Sequence, residues 1–100
     1  MRNVICPHQD AAFGTQTSSF TGSSVATTGW KRGPSAVIVF ATTDCHVRVG
    51  ESVTATTADF PLMAYQYVVL DVPPGTGATW QVAAIRMATS GTLYAKPMSA

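Results

Sequence analysis

The stretch Ser35–Gly50, SAVIVFATTDCHVRVG, decides the fold. Ala36 to Ala41 is an unbroken apolar run, rich in β-branched and aromatic residues and too short for an ordinary helix. It reads as a strand buried on both faces. Thr42, Thr43 and Asp44 are turn formers. Cys45, Val47 and Val49 then alternate with His46 and Arg48, the period-two pattern of a half-buried strand, and Gly50 ends it. The stretch predicts a β-hairpin around which later strands pair.

The C-terminal half extends the pattern. Residues 51–59 are β-prone but polar and read as a strand or loop. In Phe60-Pro61-Leu62-Met63 the proline excludes a central strand. Residues 64–72 predict the next strand, with Val68, Leu70 and Val72 inward. Tyr65 and Tyr67 then face outward, where a phenol can pack and still reach water or a partner. Pro73-Pro74-Gly75-Thr76-Gly77 is a turn. Residues 79–88 predict a strand whose apolar phase shifts between Trp80/Val82 and Ile85/Met87. A β-bulge near Ala83-Ala84 or burial on both sides would reconcile the two phases. Ser90-Gly91 suits a tight hairpin turn, and residues 92–98 close the chain, with Pro97 at the end of an edge strand. Phe40 and Ile85 are expected inside. Six or seven short strands, regular turn signals and no helical stripe predict an all-β antiparallel β-sandwich or jelly roll over residues 35–100.

Residues 1–34 differ. Their large apolar residues are few and spaced: Phe13, Phe20, Val25 and Trp30. Such a segment buries too little by itself to offset its ordering entropy. It reads as an extended N-terminal arm ordered by a neighbouring chain, or as a disordered tail. Phe20 to Trp30 could also supply a first edge strand.

The chain has 100 residues, enough for one domain with a small core. Charged residues make up 11% and the formal net charge is +1; soluble domains usually carry about 25% charged residues. A surface this poor in charge is expected to be covered by other chains, or else to stay soluble through its Thr and Ser hydroxyls. The six basic residues are scattered, and only Lys31 and Arg32 adjoin, so no nucleic-acid partner is expected. No apolar run approaches the roughly 20 residues of a membrane helix, and no secretory signal opens the chain, so no membrane partner is expected. The cysteines then read as free thiols of a protein made in the cytosol.

Chemistry-bearing residues do not assemble into a motif. Cys6, His8, Cys45 and His46 hold the atoms of a zinc site. Consecutive strand residues point to opposite faces, however, and no C-x2-C spacing is present. Asp44 and His46 could share a face, but no serine sits in a nucleophile elbow. The glycines after Pro74 precede neither a lysine nor a helix, unlike a phosphate loop. No cofactor, metal or catalytic residue is expected. The residues singled out for partner contact are the aromatics Phe13, Phe20, Trp30, Tyr65 and Tyr67, a residue class favoured at interfaces.

Three stretches carry a family resemblance: VIVFATTDCHVRVG at Val37–Gly50, TATTAD at Thr54–Asp59, and AIRMATSGTLYAKPM at Ala84–Met98. Together they resemble small jelly-roll virion structural proteins of tailed bacteriophages, closest to cement or decoration proteins. The resemblance implies a non-enzymatic protein on the capsid surface of the virion, made in the host bacterial cytoplasm. It implies a homotrimer bound to the major capsid protein at a local three-fold position. A head–tail connector or tail accessory protein with the same fold is one alternative. A carbohydrate-binding β-sandwich using exposed aromatics is another.

Overall fold

The structure, a computed structural model, describes residues 13–51, 53–75 and 77–98. The strands run β1 (Gln16–Phe20), β2 (Val25–Ala26), β3 (Trp30–Lys31), β4 (Ala36–Ala41) and β5 (Cys45–Gly50). They continue with β6 (Phe60–Leu62), β7 (Val68–Asp71), β8 (Thr79–Arg86) and β9 (Gly91–Pro97). One sheet has the order β1-β9-β4-β7. The other has the order β2-β8-β5-β6, with β3 also paired to β8. All pairings are antiparallel. The all-β sandwich expected from the sequence is the observed architecture.

Alternation places the core between the sheets. Phe20, Val37, Val39, Ala41, Leu93 and Ala95 come from one sheet, and Trp30, Cys45, Val47, Leu62, Trp80, Val82 and Ala84 from the other. Val49, Val68, Leu70 and Val72 pack at the margin of this cluster. The inward faces read from Cys45/Val47/Val49 and from Val68/Leu70/Val72 are therefore the ones used.

Four expectations are corrected. First, β4 and β5 do not form a hairpin. The Thr42–Asp44 turn carries the chain from one sheet to the other, and so does the Ser90-Gly91 turn between β8 and β9. The two corners serve each other instead. Thr42 N–H donates to Thr92 O at 3.0 Å, Thr92 N–H to Thr42 Oγ1 at 3.0 Å, and Thr43 Oγ1 to Thr89 O at 2.9 Å.

Second, the described part of the expected arm, from Phe13 onward, is built into the sandwich. β1 pairs with β9, and β2 and β3 pair with β8. Three residues, Thr27 to Gly29, face only two, Gln81 and Val82, so β2 and β3 are one strand broken by a bulge. Gly29 sits there at φ 102°, and its N–H and C=O are both held by the Gln16 side-chain amide at 2.7 Å. Residues 1–12 lie outside the described residues, so the boundary at residue 34 is not a boundary for 13–34.

Third, β8 carries no bulge at Ala83-Ala84. It keeps one register against β5 from Cys45↔Arg86 to Gly50↔Gln81. The extra residue belongs to the opposing β2–β3 strand. Fourth, Phe40 and Ile85 lie on outer faces and are only partly buried. In a two-layer sandwich no further sheet covers the second face of an apolar strand.

Candidate functional site

The outer face of the β1-β9-β4-β7 sheet is apolar along β4, where a solvated strand would be polar. β4 supplies Ile38 and Phe40, and β9 supplies Tyr94 and Lys96. Phe40 pairs with Tyr94 across the β4–β9 ladder, and Ile38 with Lys96 on one side and Val69 on the other. The Phe40 and Tyr94 rings stack with centroids 5.0 Å apart and planes 17° apart. Lys96 reaches along the surface, its Nζ donating to Phe13 O at 3.0 Å.

The turn before β7 completes the site. Tyr65 has φ 59°, the left-handed region that a bulky side chain rarely enters. Its N–H donates to Ala41 O at 2.8 Å, which pins it at the end of β4. Ala64 N–H donates to Asp44 Oδ1 at 2.8 Å and holds the residue before it. Tyr65 is 72% exposed and Tyr67 is 60% exposed. With Ile38, Phe40, Tyr94 and Lys96 they line an open groove of about 420 Å³. Among the described residues the phenol hydroxyls of Tyr65, Tyr67 and Tyr94 have no hydrogen-bond partner. The groove therefore presents flat apolar faces with phenol hydroxyls at its rim, the amphipathic character of aromatic residues favoured at interfaces.

The sequence-derived contact residues divide. Tyr65 and Tyr67 come together in this groove. Phe20 and Trp30 are 0% and 2% exposed and belong to the core, so neither is free to meet another chain. Phe13 is half-buried against that core. Ile38 and Phe40 join the groove from β4, although the sequence alone places Phe40 inside. Their signal was present, because every second residue of an apolar strand must face outward once the fold has two layers.

The remaining chemistry-bearing groups hold the fold. Cys45 and His46 point to opposite faces of β5. His46 Nδ1 lies 3.0 Å from Asp59 O, and burial pushes the Cys45 thiol up to about 11, with the nearby Asp44 charge adding to it. Cys6 and His8 are outside the described residues. Among the described residues no three His, Cys, Asp or Glu side chains gather to hold a metal ion. Glu51 pairs with Arg32 and accepts from Gly77 N–H at 2.5 Å, while Arg32 Nη1 donates to Pro73 O at 2.7 Å. Together they clamp the Pro73–Gly77 turn. The Arg32 hydrogen bond, the Gly77 N–H and the Arg32 charge lower the Glu51 pKa below its ordinary value, against some desolvation.

Comparison with protein-family models, with curated proteins and with solved structures finds no match.

Proposed function

We propose that the chain is a structural protein of a tailed-bacteriophage virion, a capsid cement or decoration protein that docks through the outer face of its β1-β9-β4-β7 sheet. The observation that carries this reading is the groove of Phe40, Tyr65, Tyr67 and Tyr94. It joins apolar area, aromatic anchors and a strained Tyr65 backbone, and strain of that kind gathers at binding sites. Strand order supports it. With β2 and β3 counted as one bulged strand, each sheet has four strands, as in the double-sheet jelly roll that the resemblance implies. The commitment of Asp44, His46 and Glu51 to turns and loops favours a non-enzymatic role. The test is cosedimentation of the purified chain with particles of the encoding phage stripped of it. The chain should return to the capsid shell, and Tyr65→Ala with Tyr67→Ala should weaken this at least tenfold. Recovery with tails alone would favour the connector or tail-accessory reading.

The unpartnered phenol hydroxyls favour one other reading, a carbohydrate-binding sandwich in which sugar rings stack on Tyr65 or Tyr67. A saturable ligand on a glycan array, lost in Tyr67→Ala, would favour it over capsid docking.

A further inference from the structure

The sheet that carries the groove ends in a strand with one side unused. Val72 N–H donates to Ser35 O at 2.9 Å, which sets the alternation of the β4–β7 ladder. Val68 and Leu70 turn their N–H and C=O toward β4, and Val69 and Asp71 turn theirs away. The other ladder of β4 agrees. Met98 N–H on Ala36 O and Thr42 N–H on Thr92 O aim the even-numbered residues of β4 at β9, leaving the odd ones for β7. Among the described residues no strand lies beyond β7.

Two of the other edges are tied or blunted. At β1, Ser18 Oγ donates to Val25 O at 2.7 Å and Gln16 holds Gly29. β6 is three residues long with Pro61 at its centre. β7 has no lysine, proline or bulge, and Val69 is 47% exposed.

We propose that β7 pairs antiparallel with β7 of a second copy of this chain, about a two-fold axis at Val69, joining two four-stranded sheets into one of eight. The strand complements itself. Tyr67, Val69 and Asp71 share the outer face and are symmetric about Val69. The axis sets Val69 against Val69 of the second copy and Tyr67 beside Asp71 of the second copy. A phenol can then donate to a carboxylate, and no two carboxylates meet. On the inner face Val68 meets Leu70 of the second copy, which extends the core across the join. The outward N–H and C=O of Val69 and Asp71 find partners in the same step. An axis at Asp71 would oppose like charges. An axis at Leu70 would set Tyr67 against Pro73, which has no N–H. Pairing at Val69 lays the two grooves side by side on one continuous face. It makes the oligomer a dimer or a multiple of two, unlike the trimer that the resemblance implies, and it stands whatever surface the groove meets.

Sedimentation of the full chain across the micromolar range tests the pairing. The mass of two chains is expected, with reversion to one chain in Val69→Lys and Val69→Pro at unchanged β-type circular dichroism. Proline is tolerated in the monomer because the Val69 N–H is not used in the β4 ladder. The register has its own readout in a Cys6→Ser background. Tyr67→Cys mixed with Asp71→Cys should oxidise to a cross-linked dimer, since directly opposed residues of a hydrogen-bonded pair have Cα atoms about 5.5 Å apart, within disulfide reach. Tyr67→Cys alone should not. A single-chain mass at every concentration overturns the proposal and leaves the edge to a strand of another protein. A dimer unaffected by both Val69 variants, or Tyr67→Cys cross-linking as readily alone, overturns it too.

Discussion

Trp30 and Trp80 lie directly opposite each other in the β3–β8 ladder, ring centroids 4.7 Å apart and planes tilted by 37°. Both are buried, and both indole N–H groups are satisfied, Trp30 by Gly14 O at 2.8 Å and Trp80 by Lys31 O at 3.0 Å. A residue expected in an arm thus forms half of a core pair. Trp30→Ala should destabilise the domain by about 3–5 kcal/mol. A chain starting at Ser35 lacks β1, Phe20 and Trp30 and should lose its cooperative thermal transition. A sharp melt of that truncated chain would show that the N-terminal strands are dispensable.

Gly29 should resist substitution. Its φ is 102°, and a Cβ there would fall 2.8 Å from Trp80 O. Gly29→Ala should cost about 1–3 kcal/mol in urea unfolding, through backbone strain and a widened bulge. Gly22→Ala is the control. It has no such φ, and its Cβ would meet the movable Arg86 side chain, so its midpoint should move far less.

Tyr65 should show a trade between stability and binding. Tyr65→Gly relieves the positive φ and should raise stability by up to about 1 kcal/mol, while the groove loses an anchor. Tyr67→Gly gains nothing in return. Chemical denaturation of the two variants beside the parent separates them, and a drop for Tyr65→Gly as large as that for Tyr67→Gly would refute the strain.

The Arg32–Glu51 clamp gives a pH dependence of known sign. The Glu51 pKa is lower folded than unfolded, so the carboxylate contributes stability above its unfolded value. That contribution is lost as pH falls through the folded value. Glu51 is partly solvent-exposed, so the effect is small. Melting temperature should fall more steeply with acidification in the parent than in Glu51→Gln, and parallel curves would contradict the clamp.

Cys45 should be inert in the native state. Its thiol is fully buried and pushed up to about 11, so little thiolate forms at pH 8. Peptide mapping after iodoacetamide should find Cys45 unmodified until denaturant is added. Rapid native labelling would mean that the sandwich opens at the Thr42–Asp44 corner.

The sequence by itself determined the β class, the strand positions around Ala36–Ala41 and Cys45–Gly50, and most inward faces. These are local properties: side chains alternate with period two, and β-branched residues suit a pleated half-buried surface. The edge position of β6 was legible too, because Pro61 cannot serve a central ladder. Strand partnership was not. Thr42–Asp44 and Ser90-Gly91 encode reversal of the chain, and reversal is equally compatible with a hairpin and with a corner between sheets. Only the competition of all strands for hydrogen-bonded neighbours chose the corner. The same competition drew Phe20 and Trp30 into the core and placed the bulge at Gly29, opposite β8. It also left Phe40, which reads locally as core, on the open face beside Tyr94. Whether an apolar residue is buried depends on how many layers the fold has, and layer number belongs to the tertiary structure.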